Sequence, residues 1–226
     1  MLYSEFTYNF SPARITRYYN ATGNLFDKTK RLYIANLRIS QSFHPLLGVI
    51  EVVLRNRLNE ILIAHFSDSN WIINQKKGFM SNSVLSGNNY YLKNQILNAE
   101  NKLNKYFIPI TPGKIIGELT FSFWTELFEI YHYRLLSGKP IQIFSSLPTN
   151  IKRKQISMEL KTIRKFRNRI NHNEPVCFNG SSIDFTSANE VYTSIINILN
   201  WMEPKLIPFT NPIDFVNLAI SDAQLI

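Results

Sequence analysis

The stretch Arg164-Lys165-Phe166-Arg167-Asn168-Arg169-Ile170-Asn171-His172-Asn173-Glu174-Pro175 sets one histidine at the end of a strongly basic run. An imidazole with an unperturbed pKa near ~6.5 takes and gives protons at neutral pH. A guanidinium stays charged and offers planar, forked donors that match phosphate oxygens. Arg167 and His172 therefore have the chemistry to cleave RNA without a metal. His172 would remove the 2′-OH proton or protonate the 5′ leaving oxygen, while Arg167 stabilises charge on the phosphorane. The products expected are a 2′,3′-cyclic phosphate and a 5′-OH end. A plainer reading uses the same residues: a histidine capping a helix C-terminus, at the negative end of the dipole, beside surface arginines.

Geometry narrows the first reading. On a regular helix, at ~100° per residue, Arg167 and His172 point roughly 140° apart, whereas Asn168 and His172 share a face. Two routes bring the pair together. The helix could fray before Pro175, or a two-fold dimer could set two copies of the helix end in one cleft. The dimer is the preferred arrangement.

The element that carries these residues runs from Ile151 to about Asn171. Ile156, Leu160, Ile163 and Ile170 form its apolar stripe. Lys152, Arg153, Lys154, Lys161, Arg164, Lys165 and Arg169 face elsewhere, with Glu159 the only acid before His172, and Arg167 falls on the stripe. Pro175 ends any helix nearby. Upstream, Ser11-Pro12 caps a short helix through about Tyr19. A helical pattern over 25–66 carries Leu25, Leu32, Leu37, Phe43, Leu47, Ile50, Leu54, Leu58 and Leu62, and Pro45 should start a new helix or kink a long one. Residues 67–85 read as a loop with at most one helical turn. Further helices are expected over 88–106, 114–136, 187–201 and 212–219. The segment 114–136, with Phe121, Phe123, Trp124, Leu127 and Phe128, is apolar on most sides and central. Val176–Phe185 reads as a short extended arm. The expected fold is all-α, a helical bundle forming a single domain over 1–226.

Composition agrees with a globular, basic chain. Of 226 residues 45% are apolar, Gly is scarce at 8, and the formal net charge is +9. Lys and Arg favour encounter with phosphates and release counterions on binding, which fits a polyanionic partner such as nucleic acid, although many small proteins are basic for no specific reason. Cys177 is the single cysteine, which excludes an internal disulfide, and with four histidines a zinc site is not expected; no metal or cofactor is expected. Met1–Asn9 shows no basic region leading into an apolar one, so no secretory signal is expected. No apolar run reaches the ~20 residues of a membrane span, and the cytoplasm is the simplest compartment. No P-loop, G-x-G-x-x-G or H-E-x-x-H is present. His44, His65 and His132 read as structural.

Arg167-Asn168-Arg169-Ile170-Asn171-His172-Asn173-Glu174-Pro175 resembles the R-N-R-I-x-H-x-E-P signature of the Abi-like (abortive infection) family, a branch of the HEPN superfamily marked by Arg-x4-6-His. Ile50-Glu51-Val52-Val53-Leu54-Arg55-Asn56 is similar to that family's L-E-x-x-L-R-N helix. Leu119–Phe128 resembles its L-T-F-G-F-W-x-x-L-F segment. Asn173 stands where a second histidine is common, and Ser122 where glycine is usual. The resemblance implies a helical bundle of the HEPN type with additional N-terminal and C-terminal helices, forming a homodimer around the motif helices. It also implies metal-independent endoribonuclease activity in phage defence or as a toxin, restrained by a partner that could be a small RNA. On this footing Arg167 and His172 are catalytic, and Asn168 and Glu174 orient them. Arg164, Lys165 and Arg169 are expected to contact RNA. Glu51 and Arg55, at i and i+4, either support that site or fix helix register, and Leu54–Asn59 echoes Phe166–Asn171.

Overall fold

The computed structural model describes all 226 residues. Its first helix, α1 (Tyr3–Phe10), is one that periodicity does not reveal; the Leu2 N–H donates to Glu5 Oε2 at 2.7 Å and so closes its first turn. Helix α2 (Pro12–Ala21) starts as its residues predict, with Ser11 Oγ accepting from the Arg14 N–H at 3.4 Å and Pro12 at the first position. Helix α3 (Phe26–Phe66) is 41 residues long and runs through Pro45, so no new helix begins there. Pro45 withholds a donor from the Gln41 carbonyl, but both residues are exposed, and water can replace the missing bond.

Short elements follow: α4 (Trp71–Asn74) and 3₁₀ turns at Phe79–Ser81 and Ser83–Asn88. Helix α5 (Tyr91–Lys105) comes next. The single helix expected over 114–136 is instead three: α6 (Pro112–Glu118), α7 (Phe121–Glu126) and α8 (Ile130–Leu135). Leu119 and Thr120 between the first two are extended. The segment combines a glycine with aromatic and β-branched residues, all weak helix formers. Its apolar side chains nevertheless go inside as expected: Leu119, Phe121, Phe123, Trp124, Leu127 and Phe128 are all buried.

Helix α9 (Arg153–Asn171) carries the basic motif. The extended arm is a two-residue hairpin, β1 (Phe178–Asn179) against β2 (Ser182–Ile183), antiparallel with Phe178 opposite Ile183. Helices α10 (Thr186–Met202), α11 (Leu206–Thr210) and α12 (Val216–Gln224) complete an all-α fold. No helix is long and apolar enough to cross a membrane.

The chain divides into two compact units, and α3, α9 and α10 are each continuous across the division. The first comprises 1–48, 165–197 and 205–226. Its α3 stripe is Leu32, Ala35 with Asn36, Ile39, Phe43 and Leu46, recurring at steps of three or four residues. Leu25 and Leu37, expected on that stripe, are exposed at 54% and 44%. Leu25 precedes the helix, and the stripe position beside Leu37 belongs to Asn36. Aromatic rings knit this unit together: Phe6 and Tyr18 meet the edge of Tyr33, and Phe43 lies 4.7 Å from Phe166. Cys177 is buried, and desolvation pushes its thiol up to about 12, which makes it an inert packing residue.

The second unit comprises 49–164 and 198–204. Ile50, Leu54, Leu58 and Leu62 continue the α3 stripe there, fully buried with Trp71, Phe123, Trp124, Phe128, Ile156, Leu160 and Ile163. Each such side chain contributes roughly 1.5–3 kcal/mol by leaving water. The Trp71 indole N–H donates to Asn59 Oδ1 at 2.9 Å, so the buried ring has its polar atom satisfied.

Candidate active site

The end of α9 is closed rather than frayed. The His172 N–H donates to the Asn168 carbonyl at 3.0 Å, keeping helical geometry through the histidine. Asn173 N–H then reaches Ile170 O at 2.9 Å, and Glu174 N–H reaches Arg169 O at 2.8 Å. This is a Schellman closure, with His172 at the cap and Asn173 in the left-handed region at φ 52°. Asparagine is the residue that best tolerates that conformation after glycine. An asparagine at this position therefore has a backbone reason. The fraying route to an Arg167–His172 encounter within one chain is absent from this structure.

Contacts within the first unit hold the closure from outside. Arg14 of α2 donates from Nη1 to Asn173 O at 2.6 Å. Arg169 donates to the Pro175 carbonyl and lies 3.7 Å from Glu174. Asn36 Oδ1, buried on α3, accepts from the Val176 N–H at 2.7 Å. Arg17 donates to the Gly180 carbonyl and covers the Phe178 ring at 4.4 Å, while Tyr18 packs edge-on against the same ring. Residues distant in sequence thus fix the backbone on which His172 stands.

His172 itself is exposed, as are Asn168, Lys165 and Glu174. Arg167 is half-buried on the apolar stripe. Arg169 is half-buried, and its guanidinium engages the Pro175 carbonyl and the Glu174 carboxylate and so helps to hold the turn. Asn168, Arg169, His172 and Glu174 come together at the tip of α9. Glu51, Arg55 and Arg164 belong to the second unit. Glu51 and Arg55 are half-buried, and Arg55 Nε is buried with no hydrogen-bond partner. Arg164 donates to Thr125 Oγ1 at 3.2 Å and lies 3.6 Å from Glu126, so its charge faces a protein carboxylate.

That carboxylate belongs to a cluster the sequence reading passed over. Glu126, Glu129 and His132 follow one another at three-residue intervals on α7 and α8, and this spacing inside an apolar stretch was the available signal. Ser157 donates to Glu129 Oε1 at 3.0 Å, and Arg153 donates to Phe128 O at 2.8 Å. Burial raises the Glu126 carboxyl above its ordinary value, and the Glu129 charge adds to this. His132 is 1% exposed, and neither ring nitrogen has a hydrogen-bond partner. Desolvation lowers its pKa to about 4 despite the favourable Glu126 backbone and Glu129 charge. At 3.6 Å from Glu126, a neutral imidazole forms no ion pair. The cluster ties α7 and α8 to α9.

Beside the tip of α9 lies an open groove of about 430 Å³, lined by Tyr8, Phe10, Ser11, Arg14, Tyr33 and Asn173, among others. A groove of about 470 Å³ between α3 and α12 is lined by Arg38, Pro45, Phe215, Leu218 and Asp222, none of them in the motif. No group of three or more His, Cys, Asp or Glu side chains is arranged to hold a metal ion. Comparisons with protein-family models, curated proteins and solved structures give no match for this chain.

Proposed function

We propose that the protein is a metal-independent endoribonuclease that works as a homodimer, with Arg167 and His172 as its catalytic pair. The observation that carries the reading is an exposed imidazole fixed on a closed turn at the end of a basic helix. Such an imidazole is open to a substrate hydroxyl, and its backbone is held before the substrate arrives, which lowers the entropic cost of aligning the reacting atoms. Arg167 lies one helical turn and a residue earlier, at an angle that suits a phosphate held by a second copy better than one held by its own histidine. The resemblance to the Abi-like family supports the same reaction and a role in phage defence or as a toxin, restrained by a partner such as a small RNA.

Purified protein is expected to cut single-stranded RNA in EDTA, leaving 2′,3′-cyclic phosphate ends. His172→Ala should lower cleavage by at least ~10²-fold, in keeping with loss of a general acid or base, while circular dichroism and mass in solution stay unchanged. Full activity in that variant would end the proposal.

One observation favours a second reading. His172 occupies the cap of α9, a position a histidine can fill as part of the helix end without any catalytic duty. Under that reading the protein binds RNA through exposed cations such as Lys161 and Lys165 and cuts nothing. The same preparations then show salt-dependent binding with no cleaved product, and Lys165→Ala weakens binding more than His172→Ala does.

A further inference from the structure

The groove at the tip of α9 has walls of two kinds. Tyr8 is 89% exposed and Phe10 37%, while Tyr33 beneath them is buried. Phe10 leans on Tyr33 at 5.1 Å, and Phe6 on Phe10 at 4.9 Å, so packed rings anchor the rim. Tyr8 thus presents its ring to solvent at the mouth of the groove, beside packed rings, rather than to the core. The other wall is Arg14 with Asn173, the residue next to His172. A guanidinium has five N–H groups, and the bond from Nη1 to the Asn173 carbonyl leaves donors over for a ligand. The backbone at the rim is unusual as well: Ser11 adopts φ 65°, ψ 142°, a region that side chains other than glycine's rarely occupy. The groove's size, about 430 Å³, falls within the range of small-ligand pockets, about 300–1,000 Å³.

Exposed rings beside a guanidinium, on a chain of net charge +9, match an unpaired nucleobase attached to a phosphate backbone. We infer that this groove is a base-stacking subsite for single-stranded RNA. One base lies against Tyr8 and Phe10, Arg14 meets the adjoining phosphate, and the strand continues past Asn173 to His172. The inference rests on the nuclease reading for its strand polarity and purpose, but stacking is measurable without cleavage.

The test uses the full-length protein and a short 2′-O-methyl RNA, which cannot be cut through its 2′ oxygen. Tyr8→Ala is expected to weaken binding at least about five-fold, since truncating a stacking aromatic typically costs that much or more. Tyr8→Phe should bind as the wild type does. An abasic residue placed along the strand in turn should, at one position, remove the difference between wild type and Tyr8→Ala. Equal binding by wild type and Tyr8→Ala overturns the subsite, and so does failure of the protein to bind any strand. A mononucleotide that binds more tightly than the strand also overturns it, by assigning the groove to a free ligand. Binding that depends on Tyr8 without cleavage of the unmodified RNA leaves the subsite standing and removes only the nuclease reading. Cleavage that Tyr8→Ala leaves untouched, with unchanged binding, does the reverse.

Discussion

At Asn173 the backbone turns to φ 52° so that two N–H groups can return to the last turn of α9. An L-residue with a bulkier or non-polar side chain pays roughly 1–2 kcal/mol for that conformation, and glycine pays none. Asn173→Ala should therefore lower stability by about 1 kcal/mol, while Asn173→Gly should leave it nearly unchanged. Urea denaturation measures both. If the closure aligns His172, cleavage should fall in the alanine variant and persist in the glycine one; equal activity in the two would separate catalysis from the turn. The sequence revealed the residue types at this tip, because an arginine and a histidine five positions apart stand out in any reading. It did not reveal what holds them. Arg14 and Asn36 lie more than a hundred residues upstream of the backbone atoms they bind, and no local pattern predicts such partners. Arg169 shows the same limit, since its guanidinium serves the turn rather than solvent.

Helices with a long apolar stripe, such as α3 and α9, could be read from spacing because one face is buried and the other wet. The stretch from Pro112 to Leu135 could not: its middle, Phe121 to Phe128, is buried on most sides, where periodicity vanishes, while α6 and α8 each bury a single residue, Ile115 and His132. Its three short helices also bring Glu126, Glu129 and His132 inward, with consequences for pH. His132 has a folded pKa near 4 against about 6.5 when exposed. A histidine depressed in this way stabilises the fold fully above pH 6.5, and the contribution is lost as pH falls toward 4. Between pH 7 and pH 5 that loss is about 2 kcal/mol. Glu126, whose pKa is raised, gains a proton more readily in the folded chain and offsets part of the loss as pH falls through its folded value. The comparison that isolates the histidine is His132→Phe, similar in shape and free of unsatisfied nitrogens. This variant should be at least as stable as the wild type at pH 7, because burying an unpaired polar ring costs ~1–3 kcal/mol. Its advantage should widen by about 2 kcal/mol at pH 5. A constant difference between the two proteins across that range would show that His132 does not govern the acid limb.

For the molecule as a whole, the proposed nuclease requires the guanidinium of one copy to serve the imidazole of another. The Asn168–His172 backbone bond keeps the helix regular through the cap, and a regular helix sends Arg167 and His172 roughly 140° apart. One chain therefore points Arg167 and His172 toward different regions of space, whereas a two-fold axis near the tip can set each beside its counterpart from the other copy. Composite sites make a distinctive prediction for mixed protomers. Arg167→Gln and His172→Ala should each be inactive alone. Unfolded, mixed and refolded together, they should form dimers in which one site has both native residues and the other has neither. Random pairing makes half of the dimers mixed, each with one working site of two, so activity should recover to about a quarter of the wild-type value. Glutamine is chosen because Arg167 is half-buried on the apolar stripe, where a polar side chain of similar length disturbs packing less than alanine. Catalysis within one chain predicts no recovery at any mixing ratio, since every chain then lacks one member of its own pair. Sedimentation of the mixture guards the interpretation: dimers that form without regained cleavage would place both residues of each site on one protomer and require α9 to reshape around its substrate.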